Sequence, residues 1–497
     1  MTESIYKSIE KAKNGTEIPV FKSGKTMESR YNPERDAENL CNTIETDSRF
    51  FLVLGIGSGL FIQKLITKYP DSYIIALENS QADIDFIKEL PHVKELLKLT
   101  NVRFTDLSSL SNILINTFIP AKYGDLKIVE QRAWLLENQN LLEKIKSEIN
   151  HAIGIVSADY SVQAHFGKIW QKNIMENAFI AAKSHNPNYS LPEKEIKKTA
   201  VIFAAGPSLE MHINDYLDKE KYFLISTDTA FSIFKKIKKA PDIVISIDGQ
   251  NISYNHFLHN VKDHEKNSTQ FYFDLCANSS IAKKIYEKGA SVRFFCSGHP
   301  LASAINNSSN KALPVLFSGA GTVTISALDF ALQEGFRNII ILGADFGFIN
   351  GKAYAYGTYL ENLYNINSSR FQTSETSFNK LMFRTPLKKN HDKLSTDVLE
   401  AYQYSLEKYL ESKNINFIHK DNQYFIENNE GPSISSKSLA QINLKNFFKT
   451  FKSSSIEEAE LLLLPYLAWL KNNPLYKNKK YDELLKLAFN SIVSYNI

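Results

Sequence analysis

Cysteine is scarce. The 497-residue chain holds three, Cys41, Cys276 and Cys296, and their scatter makes neither a metal-ligand pair nor a disulfide framework. No metal site is therefore expected, and a reducing, cytoplasmic setting fits this usage. Long hydrophobic runs are missing too. The two longest, near 50–62 and 461–470, are too short or too interrupted to span a bilayer. No apolar core follows the first residues, so no secretory leader is expected. An excess of one charge is the third lack: 58 Lys and Arg against 54 Asp and Glu leave a formal charge of +4. These charges are interspersed, which gives nucleic-acid binding no electrostatic footing. What remains, 43% apolar and 23% charged residues, is ordinary for a globular protein long enough for two or three cores.

Two stretches of the chain alternate short β-branched runs with helical segments, the pattern of parallel α/β sheets. The first begins at FFLVLGIGSGLFIQKLI (50–66) and continues through YIIALENS and VRFTDL. The second begins at 200 and runs through AVIFAA, YFLIST, DIVISID, TQFYFDL, SVRFFCS and NIIILGA, with NINFIH (414–419) as its last strand. Leu135, Leu136, Leu141, Leu142, Ile145 and Ile149 recur at helical spacing between the two. A short helix is expected over 5–13, and an all-α tail over 456–497. The expected fold is α/β, with two Rossmann-like parallel-sheet domains joined by helices and a small helical tail. The boundaries fall at 1–133, 134–198 (helical connector and linker), 199–424 and 425–497.

Each α/β stretch opens on a glycine loop. In the first, Gly55, Gly57 and Gly59 lie between a strand and a helix, and Glu78 ends the next strand. That layout sets a nucleoside over the glycines with an acid on its ribose, or else serves close helix–strand packing. In the second, an apolar run reaches Ala205, Gly206, Pro207 and Ser208, where backbone N–H groups at a helix start can meet a phosphate. Asp228 and Asp248 sit just past the ends of the two following strands, with Asn251 close behind. In an open α/β sheet the ligand crevice lies at those ends. Gly319, Gly321 and Thr322 open a further helix with small residues and a positive dipole end. Asp345 follows the strand NIIILG, and Tyr354 follows Asp345.

The first stretch resembles the S-adenosylmethionine-dependent methyltransferases over about 60 residues, with Asp106 where that superfamily often reads adenine, but without a matching catalytic motif. The resemblance implies a degenerate module. FAAGPSL, STDTA, DIVISIDGQN and SGAGTVTISALDFALQEGFRNIIILGADF resemble the central domain of the motility accessory factor flagellin glycosyltransferases. That family is also described as 6-hydroxymethylpterin pyrophosphokinase MptE-like. The central domain is further similar to bacterial sialyltransferases that use CMP-sialic acid without a metal. The resemblance places Asp228 and Asp248 where those enzymes hold nucleotide and sugar with asparagines, and Tyr354 where a tyrosine contacts the donor phosphate. It places His391 where they carry a catalytic histidine before a long helix. An imidazole suits deprotonation of an acceptor hydroxyl near neutral pH.

What the resemblance implies is transfer of a nonulosonic acid (sialic, pseudaminic or legionaminic type) from a CMP-sugar to Ser or Thr of a protein, with flagellin as the partner. No cofactor beyond the CMP-sugar donor is expected. Gly206, Ser208 and Thr322 would hold the donor phosphate, and Asp228, Asp248 and Asn251 the ribose and sugar hydroxyls. Three alternatives remain open. One is an ATP-dependent 6-hydroxymethylpterin diphosphokinase with Mg²⁺ on Asp228, Asp248 and Asp345. The others are a methyltransferase and a non-catalytic flagellar assembly factor. The oligomeric state stays open.

Overall fold

The computed structural model describes residues 3–186, 190–257, 268–319, 321–390, 393–430 and 441–495. The chain divides into two compact units: Met1–Gly167 with Leu464–Leu484, and Lys168–Leu463 with Leu485–Ile497. The boundary lies within one helix, Leu142–Ser184.

The first unit starts with a β-hairpin, β1 (Tyr6–Lys11) on β2 (Glu17–Phe21). This corrects the helix expected over 5–13. The overlooked signal is Asn14-Gly15, a dipeptide that favours a tight hairpin reversal because glycine reaches positive φ without strain; Gly15 has φ 90°. A parallel sheet follows, built from β3 (Phe50–Leu54), β4 (Tyr73–Glu78), β5 (Val102–Asp106) and β6 (Leu126–Glu130) in the order β5-β4-β3-β6. β3 is buried along its whole length, as a central strand covered on both faces must be. β6, LKIVE, carries two charges in five residues, which hid it from a reading based on apolar runs.

The second unit contains an eight-stranded sheet. Its strands are β7 (Thr199–Phe203), β8 (Tyr222–Thr227), β9 (Ile243–Ser246), β10 (Gln270–Asp274), β11 (Ser291–Phe295) and β12 (Asn338–Leu342), completed further along the chain by β15 (Asn416–Lys420) and β16 (Gln423–Glu427). Between β12 and β15 lies a small separate hairpin, β13 (Lys388–Asn390) with β14 (Lys393–Ser395). The sheet order is β11-β10-β9-β8-β7-β12-β16-β15. Six strands run parallel, as expected. The last two form an antiparallel hairpin along β12, so the sheet is mixed at that edge. β16 was obscured because Asp421 and Asn422, both at positive φ (52° and 57°), make the two-residue turn that this backbone twist requires.

The order fixes where a ligand can sit. From β7 the chain steps outward through β8 to β11, then returns to place β12 on the other side of β7. The direction reverses between β7 and β12, and crevices open at the carboxyl ends of strands flanking such a point. One face of this sheet is covered by the helix Val323–Glu334, through Ile325, Leu328 and Leu332 against Ile202, Ile225 and Ile243. Among the described residues no helix is long and apolar enough to cross a membrane.

Candidate functional site

The loop after β7 and the loop after β12 are joined along their backbones. Ala204 N–H donates to Leu342 O at 2.9 Å, and Gly206 N–H to Gly343 O at 2.8 Å. This contact explains Gly206: a Cβ there would lie 2.5 Å from both Gly343 O and Asp345 Oδ2. Asp345 turns its carboxylate onto Ser208, accepting from the backbone N–H at 2.8 Å and from the hydroxyl. Lys393 Nζ and Ser395 Oγ then hold the carbonyls of Asp345 and Phe346, which fixes Phe346 in the left-handed region at φ 45°.

Three expectations about this loop change. The segment opened by Pro207-Ser208 is one α turn, Leu209–His212, running into a 3-10 turn, Ile213–Tyr216. So short a helix carries little dipole. The Ser208 N–H and hydroxyl, assigned to a phosphate, are occupied by the chain's own Asp345. Asp345 likewise serves the loop rather than standing open to a ligand. Pro207 and Ala205 belong to the same closed turn, with Ala205 O accepting from Ala355 N–H at 2.9 Å.

The carboxyl ends of β8 and β9 supply a different cluster. Asp228 is 2% exposed and opens the helix Asp228–Lys236, which Thr227 caps. Its Oδ1 accepts from Thr229 N–H at 2.7 Å and its Oδ2 from Ser246 Oγ at 2.6 Å. Asp248, past β9, is half-buried and accepts from Gln250 N–H at 2.9 Å. Burial first, and the Asp228 charge second, push its carboxyl up to about 6. The same Asp228 charge reaches Tyr354, whose hydroxyl is raised chiefly by burial. It also reaches His256, whose imidazole burial lowers. Asp228, Asp248, Tyr354 and His256 thus come from four segments into one electrostatic neighbourhood.

His256 was not singled out from sequence. It lies on the short helix Tyr254–Phe257 directly after SIDGQN, and the only signal was a polar, aromatic stretch following a strand-end acid. Phe257 anchors that turn against Phe231 and Phe273, with ring centroids 5.7 and 5.8 Å away. The rim is pinned from outside by Asn173 and Asn177. Asn173 Nδ2 donates to Gly249 O and Cys276 O, at 3.1 and 3.0 Å, and Asn177 Nδ2 to Leu275 O and Ala277 O, at 3.0 and 2.7 Å.

Asn251 is exposed at the head of a 3-10 turn on the same rim. Thr322 is the N-cap residue of Val323–Glu334, and its side chain makes no capping bond. That helix connects parallel strands and therefore starts at the carboxyl edge. Gly321, at φ 92°, precedes it with open space where a Cβ would be, whereas a Cβ on Gly319 would meet Ile325 and Ser405. His391 lies outside the described residues. Among the described residues no group of three or more His, Cys, Asp or Glu side chains is placed to hold a metal.

In the first unit the loop of Gly55, Gly57 and Gly59 is occupied by the protein itself. Ser58 N–H donates to Glu28 Oε1 at 2.6 Å. Glu78 accepts from Ile56 N–H at 2.8 Å, Tyr6 Oη at 3.0 Å and Trp134 Nε1 at 2.7 Å. The acid expected to meet a ribose is fully buried on these three donors. Burial outweighs them and holds its carboxyl at about 7.

Residues 172–351 match the family model described as 6-hydroxymethylpterin diphosphokinase MptE-like. Two uncharacterized proteins of Treponema pallidum (strain Nichols) are similar to the chain. One is 32% identical over 176 residues, covering 35% of this chain and 80% of the relative. The other is 27% identical over 232 residues, covering 45% and 75%. The solved structure of the MAf glycosyltransferase from Magnetospirillum magneticum AMB-1 aligns with 99% of this chain and 91% of its own, at 11% identity and a TM-score of 0.44. That likeness is too distant to bear on activity.

Proposed function

We propose, for a chain that belongs to one family with the 32%-identical Treponema pallidum protein and carries an MptE-like domain over residues 172–351, that its second unit is a glycosyltransferase. The donor is a CMP-linked nonulosonic acid, the acceptor a Ser or Thr hydroxyl of flagellin, and the setting cytoplasmic. The observation that supports this most is Asp248 at the end of β9, half-buried and backed by the charge of the buried Asp228, which also reaches Tyr354. Carboxylates repel a phosphate but accept strongly from hydroxyls, so this part of the rim suits ribose and sugar. The donor phosphate belongs at Gly321 and Thr322, where the helix Val323–Glu334 offers N–H groups that no side chain caps.

In the transfer, the acceptor oxygen bonds to the anomeric carbon while the bond from that carbon to the CMP phosphate oxygen breaks. The hydroxyl proton passes to a base, the role proposed for His391, and Tyr354 donates to the departing phosphate. CMP release from CMP-nonulosonates with purified protein and flagellin tests this. Turnover at unchanged rate in EDTA supports it, and absence of CMP release from every donor contradicts it.

The description of the matching family favours a second reading, diphosphoryl transfer from ATP to 6-hydroxymethylpterin. It requires Mg²⁺ on Asp228, Asp248 and Asp345, and Asp345 is engaged with Ser208. ATP- and pterin-dependent AMP formation that EDTA abolishes would favour it.

A further inference from the structure

The first unit has its own reversal point, between β3 and β6. A phosphate or carboxylate ligand would normally use the glycine-loop N–H groups there, and Glu28 already fills that seat. The fit is close: a Cβ on Gly57 (φ 58°) would lie 2.1 Å from Met27 Cε and 2.4 Å from Glu28 Oε1. Beside the plug lies a cavity of about 350 Å³. Leu40 and Phe61 give it apolar walls, and its charged lining is Glu28, Asp36 and Glu130 against Arg132. Only one Glu28 oxygen is used by the loop. The other, Oε2, is buried and carries no hydrogen bond, a costly arrangement for a carboxylate oxygen.

We infer that this cavity binds a small organic cation, an amine or guanidinium compound with a short apolar body, whose N–H group donates to Glu28 Oε2. The plug reverses the preference of the glycine loop: it replaces a row of donors with an acceptor, backed by two further carboxylates and opposed by one guanidinium. Nucleotides are disfavoured twice, by the occupied anion seat and by the excess of negative charge. The walls of Leu40 and Phe61 ask for a methylene chain or a ring behind the cation. Burial raises the Glu28 carboxyl, and a bound cation would offset that.

The test uses the full chain. Agmatine and phenethylamine are titrated calorimetrically, with CMP and ATP in parallel. At least one amine is expected to bind with a heat that the unit 1 variants lose, whereas any heat from CMP or ATP, which belongs to the second unit, should be the same in parent and variants. Glu28→Gln keeps an oxygen for Ser58 N–H but turns the free acceptor into a donor, so it should weaken amine binding about tenfold or more. Ala133→Leu, which narrows the cavity with Glu28 intact, should also weaken it, and carries the test if Glu28→Gln does not fold. Absence of amine binding at millimolar concentration, or equal binding by a folded variant, overturns the inference. Activity of the second unit does not enter the readout.

Discussion

The carboxylate of Asp345 sits on Ser208, taking its backbone N–H at 2.8 Å and its hydroxyl as well. A loop that reads in sequence as a phosphate cradle is thereby closed by an acid 137 positions further along the chain. The bond ties the end of β7 to the end of β12 at the reversal point of the sheet. At the neighbouring strand ends Asp228 is buried, and Asp248 is the carboxylate that stays partly exposed.

Removing this tie should cost stability. Asp345→Ala leaves the buried Ser208 N–H without a partner, with an expected loss of about 2 kcal/mol. Gly206→Ala should lose a comparable amount, because its new methyl would lie 2.5 Å from Asp345 Oδ2. Urea denaturation of each variant against the parent protein checks both. A variant within a few tenths of a kcal/mol of the parent would show the tie to be dispensable.

Asp248 should set the acid limb of turnover. Its carboxyl titrates at about 6, so the ionised acceptor of hydroxyl bonds is lost as pH falls through that value. CMP release should decline with it. Asp228→Asn removes the neighbouring charge that helps to raise Asp248, so the limb should move to lower pH. A pH–rate profile with the same midpoint in parent and variant would separate the two carboxylates.

Glu78 makes the opposite kind of prediction, about stability. Its folded carboxyl lies at about 7 against an ordinary 4.5. A raised value means the folded state favours the proton. The contribution is complete below pH 4.5 and is lost as pH rises to about 7. The upper figure is about 3 to 4 kcal/mol, from about 1.4 kcal/mol per unit over the rise from 4.5 to about 7. Urea midpoints for the first unit should fall between pH 5 and pH 8, and Glu78→Gln should flatten that dependence.

Much of the fold was legible from periodicity, because buried parallel strands such as VIF at 201–203 and III at 339–341 are continuous apolar runs. The elements that escaped carry their signal elsewhere. β1 and β2 were marked by Asn14-Gly15, and β16 by a turn whose Asp421 and Asn422 are unremarkable until their backbone angles are known. At the candidate site, the positions of Asp228 and Asp248 just past strand ends could be read from the apolar runs before them, while Tyr354 was drawn only from the family resemblance. The partners of Ser58, Glu78 and Ser208 could not be read. Glu28, Tyr6, Trp134 and Asp345 reach them across 30 to 137 positions, and no local pattern encodes such contacts. His256 came to light only because its helical turn packs beside Asp228.

The most direct test of the central claim is the mass of flagellin after incubation with the purified protein and a CMP-nonulosonate. Addition of one or more nonulosonic acid residues, matched by CMP release and lost in Asp248→Asn, is the predicted result. Unchanged flagellin mass and no CMP release, with the protein folded and every donor type supplied, would contradict it.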